Sequence, residues 1–369
     1  MTAQRYTIPD LPSTDELLPY LRRIEAVRWY SNYGPLVMEF EQRLQQHLTQ
    51  TDPTPQAGPI ALTTVASCHQ ALMIGMRLLR LPENATVLVP SVTFPSSAIA
   101  IHEAGATPLF SDIDPTSWSL TPSIARAIAR TRKIDAVMPV AVYGVPMQGW
   151  DEFSRETDIP VVIDAAAALD VQPVPVRGLV AYSMHATKPF GIGEGGVLAS
   201  RDAEFIASAR RMTNFGTCDR LAIDRGTNAK LSEYHGAVAL AQLDRWPRVR
   251  QRRRAVFDLY VKTLTAQGLA GGLQKDIGQA VVSCLMLKLE KRDAATVADH
   301  LQKRQIPAHR CYWPPLTHHP YFADIETADS LPYAENLNKT VLGLPFHSFM
   351  TESDVERTVQ ALVEEISAA

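Results

Sequence analysis

Two short segments decide the fold, PVVID at residues 160–164 and LVAYSMHATK at residues 179–188. Each begins with an apolar run and ends on a side chain that can carry charge, Asp164 in the first and Lys188 in the second. Runs that are apolar at every position are typical of strands covered on both faces, as in a parallel sheet flanked by helices. Ligands bind at the carboxyl ends of such strands. Asp164 and Lys188 are therefore the first candidates for a functional site.

Similar apolar runs lie on both sides of these segments along the chain. They are residues 86–89, 107–110, 136–142 and 197–199. Between them, apolar residues recur at helical spacing, for example over residues 69–81, 122–129 and 203–212. Because strands and helices alternate, we predict a doubly wound α/β domain.

The pattern changes near Asn228. We expect a long helix over residues 232–262, a strand within residues 280–290, and helices over residues 292–304 and 353–367. This mixture is typical of a smaller α+β domain. The predicted organisation is an N-terminal segment (residues 1–30), a large α/β domain (residues 31–245) and a small C-terminal α+β domain (residues 246–369).

The bulk composition excludes several classes of protein. The chain has 369 residues, with 36 Lys and Arg against 39 Asp and Glu and a formal net charge of −3. This balance argues against nucleic acid as the main partner, since phosphate binding needs a surplus of basic residues. The N-terminus has no apolar signal core, and no apolar run approaches the ~20 residues that a membrane span needs. We expect a cytoplasmic protein with no nucleic-acid and no membrane partner.

Neither the cysteines nor the histidines are spaced for a metal site. The four cysteines include no CxxC pair and no zinc knuckle, so we interpret them as free thiols in a reducing compartment. They are Cys68, Cys218, Cys284 and Cys311. His318 and His319 are adjacent, but no further ligand completes a tetrahedral zinc site around them. We therefore expect no metal.

Residues 191–196 (GIGEGG) match the dinucleotide fingerprint GxGxxG but not its context. The fingerprint requires a strand directly before it and a helix directly after it. Here residues 188–190 (KPF) precede the glycines and the apolar run GVLAS follows them. We interpret the glycines as a turn that brings backbone close to a ligand or to another chain.

A third feature joins Asp164 and Lys188 in one chemical requirement. Residues 66–70 (ASCHQ) form a polar turn that opens a helix, and a helix N-terminus offers free N–H groups to an anion. Pyridoxal 5'-phosphate (PLP) needs a lysine that binds its aldehyde carbon, a carboxylate that keeps its ring nitrogen protonated, and a phosphate cradle. Taken singly, such an aspartate is more often a cap and such a lysine is more often on the surface. Their joint occurrence makes PLP the hypothesis, with Lys188 and Asp164 as catalytic residues.

These residues belong to a series of segments that resembles the DegT/DnrJ/EryC1/StrS family of sugar-nucleotide aminotransferases, which have fold type I. The segments are residues 31–37 (SNYGPLV), 90–94 (PSVTF), 162–166 (VIDAA), 183–188 (SMHATK), 193–196 (GEGG), 214–216 (NFG), 228–233 (NAKLSE) and 343–347 (GLPFH). They occur in the family's order. The resemblance implies an α/β fold: a large PLP-binding domain with a mostly parallel seven-stranded sheet flanked by helices, plus a smaller α+β C-terminal domain.

The resemblance also implies a role for each cofactor-binding residue. Lys188 would bind PLP covalently, Asp164 would pair with the pyridine nitrogen, and Phe94 would stack on the ring. Contacts to the phosphate would come from the remaining residues of the implied set, which are the Ser183 hydroxyl, the backbone N–H groups of Cys68 and His69, and Asn228.

Partners and substrates follow from the same resemblance. Asn228 would reach the phosphate from the neighbouring subunit, which implies a homodimer with shared active sites. Family members transfer an amino group from an amino acid, typically glutamate, to a keto sugar on a nucleoside diphosphate. Asn32 and Tyr33 lie in the segment that the family places by the active site. Arg310 and Tyr312 would flank the nucleotide, although packing at the domain interface is an equal alternative.

Two departures from the family pattern lie around the cofactor. Cys68-His69 replaces a Gly-Thr turn, which removes a hydroxyl and puts bulk beside the phosphate. Ala167 replaces a Gln or His that reaches the cofactor hydroxyl, and one such hydrogen bond is worth about 1 kcal/mol. Two alternatives therefore stay open, a transaminase of a non-sugar ketone and a degenerate paralogue that acts as a scaffold or regulator. A sugar dehydratase is disfavoured, because dehydratases of the family carry histidine where Lys188 stands.

Overall fold

The computed structural model describes residues 4–52, 54, 57–290 and 292–367. The helices are α1 (Thr14–Val27), α2 (Pro35–Thr51), α3 (Cys68–Leu78), α4 (Pro95–Glu103), α5 (Pro122–Ala129), α6 (Trp150–Thr157), α7 (Ala203–Thr213), α8 (Glu233–Ala266), α9 (Ala294–Lys303), α10 (Pro332–Thr340) and α11 (Glu352–Ser367). Within these described ranges, none of the helices combines the length and the apolar character that crossing a membrane demands.

The strands are β1 (Ala61–Val65), β2 (Thr86–Pro90), β3 (Thr107–Ser111), β4 (Ala136–Val137), β5 (Val162–Asp164), β6 (Leu179–Ser183), β7 (Gly196–Ser200), β8 (Thr217–Cys218), β9 (Leu221–Ala222), β10 (Leu285–Lys288) and β11 (Val341–Leu344). The first seven form one sheet in the order β1-β7-β6-β5-β4-β2-β3. Parallel bridges from Val137 to Val161 and from Val140 to Asp164 join its two parts. Neighbours are parallel except at β7, which is antiparallel to both β1 and β6. The predicted fold class is confirmed.

Strand β6 explains why these runs are apolar at every position. Val180 and Tyr182 point into a core that also contains residues of α2 and α8, whereas Leu179 and Ala181 point into a second core formed largely by α3 and α4. Alternate side chains face opposite sides of a strand, so two covered faces leave no position for a polar residue.

The apolar run at residues 136–142 forms less strand than we expected, because regular pairing ends at Val137. Pro139 has no N–H to donate to a sheet ladder, which explains the early end. The chain nevertheless stays beside β5, since Asp164 N donates to Pro139 O at 2.9 Å and Ala141 N donates to Asp164 O at 2.9 Å. These two bonds fix the backbone on either side of Asp164.

The C-terminal part is built on the antiparallel pair of β10 and β11, with Leu285 opposite Leu344. Helices α8, α9 and α11 supply most of the apolar core around this pair. The strand expected within residues 280–290 and the two helices that follow are thus present. Helix α8 crosses residue 245 without a break. The domain limits at residues 30 and 245 stay a prediction.

Candidate active site

Asp164 is the last residue of β5 and so lies at the carboxyl end of that strand, the edge at which parallel sheets bind ligands. Its side chain is 4% exposed and accepts hydrogen bonds from Ser97 Oγ at 2.7 Å and from Ala166 N at 3.1 Å. Burial raises the pKa of Asp164, while these two hydrogen bonds and the nearby Lys188 oppose the rise. A buried carboxylate held by neutral donors is a place where a positively charged ring nitrogen gains stability.

Sequence reasoning missed the residues that orient this carboxylate. Ser97 lies in the first turn of α4, and its hydroxyl is 2.9 Å from that of Thr93. Both side chains are buried, so a chain of hydroxyl groups runs from Thr93 through Ser97 to Asp164. The local sequence carries no signal for this contact, because Ser97 and Asp164 are 67 positions apart.

Phe94, predicted to stack on the cofactor, occupies the N-cap position of the same helix. Its side chain is 62% exposed, which is unusual for phenylalanine. An exposed ring at the start of the helix that holds Asp164 in place offers an apolar face to a flat ligand.

The backbone groups predicted to cradle the phosphate lie in the first turn of α3. Ser67 caps the helix, and the backbone N–H groups of Cys68 and His69 have no partner within it. Burial raises the pKa of the Cys68 thiol well above its usual value, and Asp164 adds to the rise while Lys188 opposes it. A neutral side chain and two free amides at a helix N-terminus suit an anion.

The histidine expected to crowd the phosphate is held by α4. His69 Nδ1 lies 3.0 Å from Ser96 Oγ, and Nε2 lies 2.8 Å from a carboxylate oxygen of Glu103. Both ring nitrogens are thus engaged away from the helix start. Because the imidazole is held in this way, the replacement of the family's Gly-Thr turn puts less bulk beside the predicted phosphate position.

Gly196 packs directly against the start of α3 because it has no side chain. A Cβ atom at this position would lie 2.7 Å from Cys68 N and 2.7 Å from the carbonyl carbon of Ser67. Such contacts are too short for any other residue unless the turn moves. The glycine at the end of residues 191–196 therefore allows close packing against another segment of the same chain. Strand β7 begins at this glycine.

Lys188 follows β6 on a tight turn. Ser183 Oγ accepts from His185 N at 3.2 Å, His185 Nδ1 lies 2.9 Å from Thr187 Oγ1, and Lys188 N donates to His185 O at 2.9 Å. The buried Ser183 hydroxyl still has its hydrogen to donate. The half-buried Lys188 side chain lies within electrostatic reach of Asp164 at the neighbouring strand end.

Tyr312 lies near Asp164 and Cys68. Its ring stacks on Tyr143 with centroids 5.1 Å apart and planes 12° apart. Burial raises the pKa of Tyr312 well above its usual value, and Asp164 and Cys68 are among the groups that add to the rise. Both tyrosines have positive φ angles, 57° and 62°, which non-glycine residues adopt mainly where the surroundings require it.

Arg310 and Asn228 have partners within the chain. Arg310 donates to the Asn338 carbonyl, and its guanidinium carbon lies 4.3 Å from the Trp313 ring centroid. The exposed Asn228 accepts a hydrogen bond from Lys230 Nζ at 2.8 Å. The structure thus packs Arg310 against α10, and the substrate and cofactor roles of both residues stay predictions.

Asn32 and Tyr33 precede α2, and both have positive φ angles. The Tyr33 hydroxyl is hydrogen-bonded to Thr213, and the Arg210 guanidinium lies over its ring, 4.5 Å from the centroid. Asn32 is exposed. These contacts tie Tyr33 to α7, and the predicted substrate contacts of the pair stay untested.

The assembled residues fit PLP. Asp164 suits the ring nitrogen, Lys188 suits the aldehyde carbon, and the α3 amides with Ser183 suit the phosphate. Residues 165–168 are all alanine and leave room for a flat ring. When bound, PLP supplies a conjugated ring that withdraws electrons from the substrate carbon. Over the part of the chain that the structure describes, no group of three or more His, Cys, Asp or Glu side chains could hold a metal.

A mostly parallel sheet with a lysine, a buried aspartate and a helix N-terminus near the carboxyl ends of its strands is the arrangement that a PLP-dependent enzyme requires. The chain matches the sequence model of the DegT/DnrJ/EryC1/StrS aminotransferase family over residues 13–363, and it belongs to that family. It is therefore a PLP-dependent aminotransferase.

Individual relatives extend the match over the whole fold. Protein Rv3402c of Mycobacterium tuberculosis (strain ATCC 25618 / H37Rv) is 32% identical over 378 residues, which cover 96% of this chain and 88% of that protein. The dTDP-4-amino-4,6-dideoxy-D-glucose transaminase of Escherichia coli is 26% identical and covers 97% of both chains. The crystal structure of a protein of Bacillus cereus ATCC 10987, assigned as a PLP-dependent aminotransferase, superposes with a TM-score of 0.89 at 29% identity, covering 97% of this chain and 98% of that one. DesI, crystallised in the presence of its TDP-sugar product, has a TM-score of 0.85 at 26% identity, covering 100% and 94%.

Proposed function

We propose that this aminotransferase moves an amino group from L-glutamate to a keto-deoxysugar linked to a nucleoside diphosphate. The observation that carries the proposal is the proximity of Lys188, Asp164 and the α3 N-terminus, in a chain that resembles sugar-nucleotide aminotransferases over nearly its whole length.

The names of the relatives support this substrate class. The Escherichia coli enzyme is named for a dTDP-linked aminodideoxyglucose, and a relative from Acidithiobacillus ferrooxidans is named for UDP-N-acetyl-3-dehydro-alpha-D-glucosamine. DesI was crystallised with a TDP-sugar. These molecules differ in nucleotide, in sugar and in the carbon that carries the nitrogen, but each is a sugar on a nucleoside diphosphate. That shared feature is what we carry over.

We assign each of these residues a task in this reaction. The α3 amides and the Ser183 hydroxyl hold the phosphate, and Asp164 keeps the ring nitrogen protonated. Lys188 Nζ takes a proton from the substrate carbon and returns it to another carbon, because an amine so close to the reacting atoms can act as both base and acid. Phe94 covers the ring and limits its contact with water.

We further propose that the enzyme is a homodimer in which Asn228 completes the phosphate site of the neighbouring subunit. Large exposed apolar side chains support the dimer, because a monomer seldom leaves so many uncovered. Some of them lie between residues 27 and 38, and the others lie between residues 215 and 234, on either side of Asn228 in the sequence. They are Val27, Trp29, Tyr30, Met38, Phe215, Leu221, Ile223 and Tyr234.

Turnover with matched acceptors tests the substrate class. The PLP-loaded protein is given L-glutamate with a nucleoside-diphosphate keto-deoxysugar, the same keto sugar without the nucleotide, or pyruvate, and 2-oxoglutarate release is followed. We expect turnover with the nucleotide-linked sugar at least about 100-fold faster, the loss that missing polar contacts to a bound group produce. Equal or faster turnover with pyruvate would instead support the transaminase of a non-sugar ketone.

A mixing experiment tests the shared site. Lys188→Ala and Asn228→Ala subunits are each weakly active or inactive alone, and random dimers of the two contain one site with neither substitution if Asn228 serves the partner. Mixing is then expected to restore activity above that of either parent. A site built from one chain gives only the weighted mean of the parents.

A further inference from the structure

A small cavity lies at the C-terminal end of α3, and three of its lining side chains are arginines. Arg77 belongs to the last turn of α3, Arg80 follows that helix, and Arg225 follows the β8–β9 hairpin. Helix α3 has 11 residues, so the cavity is about 16 Å from the predicted phosphate cradle at the other end of the helix. The fold thus brings guanidinium groups from two distant parts of the chain to one place outside the cofactor site.

Arg77 is held in place but keeps an unused donor. Its Nη2 donates to the backbone carbonyl of Glu103, at the end of α4, at 2.9 Å. Its Nε is buried and has no hydrogen-bond partner among the residues that the structure describes. A buried donor without a partner is costly, so a ligand that accepts a hydrogen bond there gains stability.

The charges around the cavity are mostly positive. Arg80 and Arg225 are exposed, and within the described ranges neither side chain has an ion pair or a hydrogen bond. Asp224 also lines the cavity, and its Oδ1 accepts from the Arg225 backbone N–H at 2.7 Å. The carboxylate of Glu103 is instead engaged by His69. Three lining cations against one lining carboxylate (3 − 1) leave an excess of two positive charges.

The guanidinium groups of Arg77 and Arg225 disfavour each other's charge. Burial lowers the pKa of Arg77, the positive charge of Arg225 adds to this fall, and Glu103 opposes it. An anion between the two groups would replace this repulsion with attraction. Each guanidinium presents a planar fork of N–H groups that matches two oxygen atoms of a phosphate at once.

The backbone around Arg225 is closely packed. Gly216 O accepts from Asp224 N at 3.2 Å, and a side chain at Gly226 would overlap the backbone of Gly216. Gly216 N in turn donates to the carbonyl of Arg211 in α7 at 2.9 Å. Because the backbone is held in this way, binding a ligand needs to order only the Arg225 side chain, which lowers the cost of binding.

We propose that Arg77, Arg80 and Arg225 form a binding site for a small inorganic anion of more than one charge, namely phosphate or pyrophosphate. The cavity volume of about 220 Å³ favours this class. Pockets for organic ligands are larger, at about 300–1,000 Å³. The excess of two positive charges favours a multiply charged anion in the same way. The proposal goes beyond the aminotransferase activity and does not depend on it.

Calorimetric titration of the full-length, PLP-loaded protein tests the site, because bound PLP then fills the predicted cofactor-phosphate position. Phosphate and pyrophosphate are titrated separately, in a buffer without phosphate and at constant ionic strength, since salt screens charges. We expect one anion per chain, with a dissociation constant of about 1 mM or lower for at least one of the two anions. No binding of either anion at concentrations up to about 10 mM would overturn the proposal.

Substitution of the two exposed arginines separates this site from any other phosphate-binding surface. Arg80→Ala and Arg225→Ala should each weaken binding about 10-fold, through the loss of one charged hydrogen-bond donor. Arg130→Ala is the matched control, since Arg130 is exposed, lies outside the cavity lining and has no ion pair within the described ranges. Unchanged affinity in Arg80→Ala or in Arg225→Ala, or an equal loss in Arg130→Ala, would overturn the assignment.

Hydrogen exchange of the parent protein gives a readout that needs no substitution. A bound anion would join the segment after the β8–β9 hairpin to the end of α3. Phosphate should therefore slow amide exchange in residues 217–227 more than sodium chloride does at equal ionic strength. Exchange in these residues that phosphate leaves unchanged, in a protein that binds phosphate by calorimetry, would contradict the placement of the anion.

Discussion

Ser97 Oγ donates a 2.7 Å hydrogen bond to Asp164 and so joins the start of α4 to the end of β5. The bond orients a carboxylate that burial would otherwise favour in its neutral form. It also links the helix that carries Phe94 to the residue assigned to the ring nitrogen. The orientation of this predicted cofactor contact therefore depends on a serine outside the motifs that resemble the family.

Replacing Ser97 with alanine is expected to weaken PLP binding. A hydrogen bond to a charged group is worth about 1.5–3 kcal/mol, so the dissociation constant should rise about 10- to 100-fold. Equilibrium dialysis or fluorescence titration measures it. Ser91→Ala is the matched control, since Ser91 is equally buried and its hydroxyl has no partner among the described residues. A Ser97→Ala protein that binds PLP like this control would refute the role.

Asp164→Asn is expected to separate stability from function. The folded-state pKa of Asp164 is raised, so the folded protein holds more protons than the unfolded chain. Stability from this group is therefore present below the usual pKa of about 3.9 and is lost as pH rises through the folded value. At neutral pH the PLP-free variant should melt at a temperature about 1–4 °C higher than the parent, by calorimetry.

Function should change in the opposite direction in the same variant. An asparagine cannot stabilise a protonated ring nitrogen, so turnover should fall by about 100-fold or more. Below a pH of about 4 the difference in melting temperature should vanish, because both side chains are then neutral. A variant that melts below the parent at neutral pH, or that keeps full turnover, would contradict the environment assigned to Asp164.

Gly196→Ala is expected to disturb the phosphate cradle. The new methyl group would press on Cys68 N, and overpacking of this kind costs about 1–3 kcal/mol. We expect a lower melting temperature and weaker PLP binding. Gly75→Ala in α3 is the control, because its methyl group would meet side chains at 3.4 Å or more and alanine favours a helix. Equal PLP affinity in the two variants would show that Gly196 does not shape the site.

The alkylation rate of Cys284 is expected to reach half its maximum at a pH below the usual thiol pKa of about 8.5. The hydrogen bond from Cys311 is the main cause of the lowered pKa of Cys284, with Lys188, Ser283 and Arg253 acting in the same direction against burial. Iodoacetamide labelling followed by peptide mass spectrometry measures the profile. Cys311→Ala should move the midpoint to higher pH, and an unmoved midpoint would contradict the assignment of the lowered pKa to the Cys311 hydrogen bond.

The strands and the two catalytic candidates could be predicted because their signals are local. Strand β6 is apolar at neighbouring positions since both faces are covered, Asp164 ends β5, and Lys188 lies on the turn that follows β6. The context of the GxGxxG match was also sufficient to reject it as a dinucleotide fingerprint, because a strand and not a helix follows it. Periodicity and order along the chain carry this information without any tertiary contact.

The remaining parts of the site depend on contacts between distant segments. Nothing near Ser97 in the sequence indicates that it meets Asp164. The engagement of Arg310 by α10 likewise follows from packing of the C-terminal part. The early end of β4 is different, since Pro139 was visible in the sequence and explains it.

The most direct measurement of the central claim is the absorption spectrum of the PLP-loaded protein before and after addition of L-glutamate, without a keto acceptor. We predict a visible band from PLP joined to Lys188, which glutamate converts to a near-ultraviolet band as the amino group is transferred. Lys188→Ala should show neither the band nor the conversion. A protein with no band at saturating PLP, or a band that glutamate leaves unchanged, would contradict a glutamate-dependent aminotransferase, and the absence of any band would favour the degenerate paralogue.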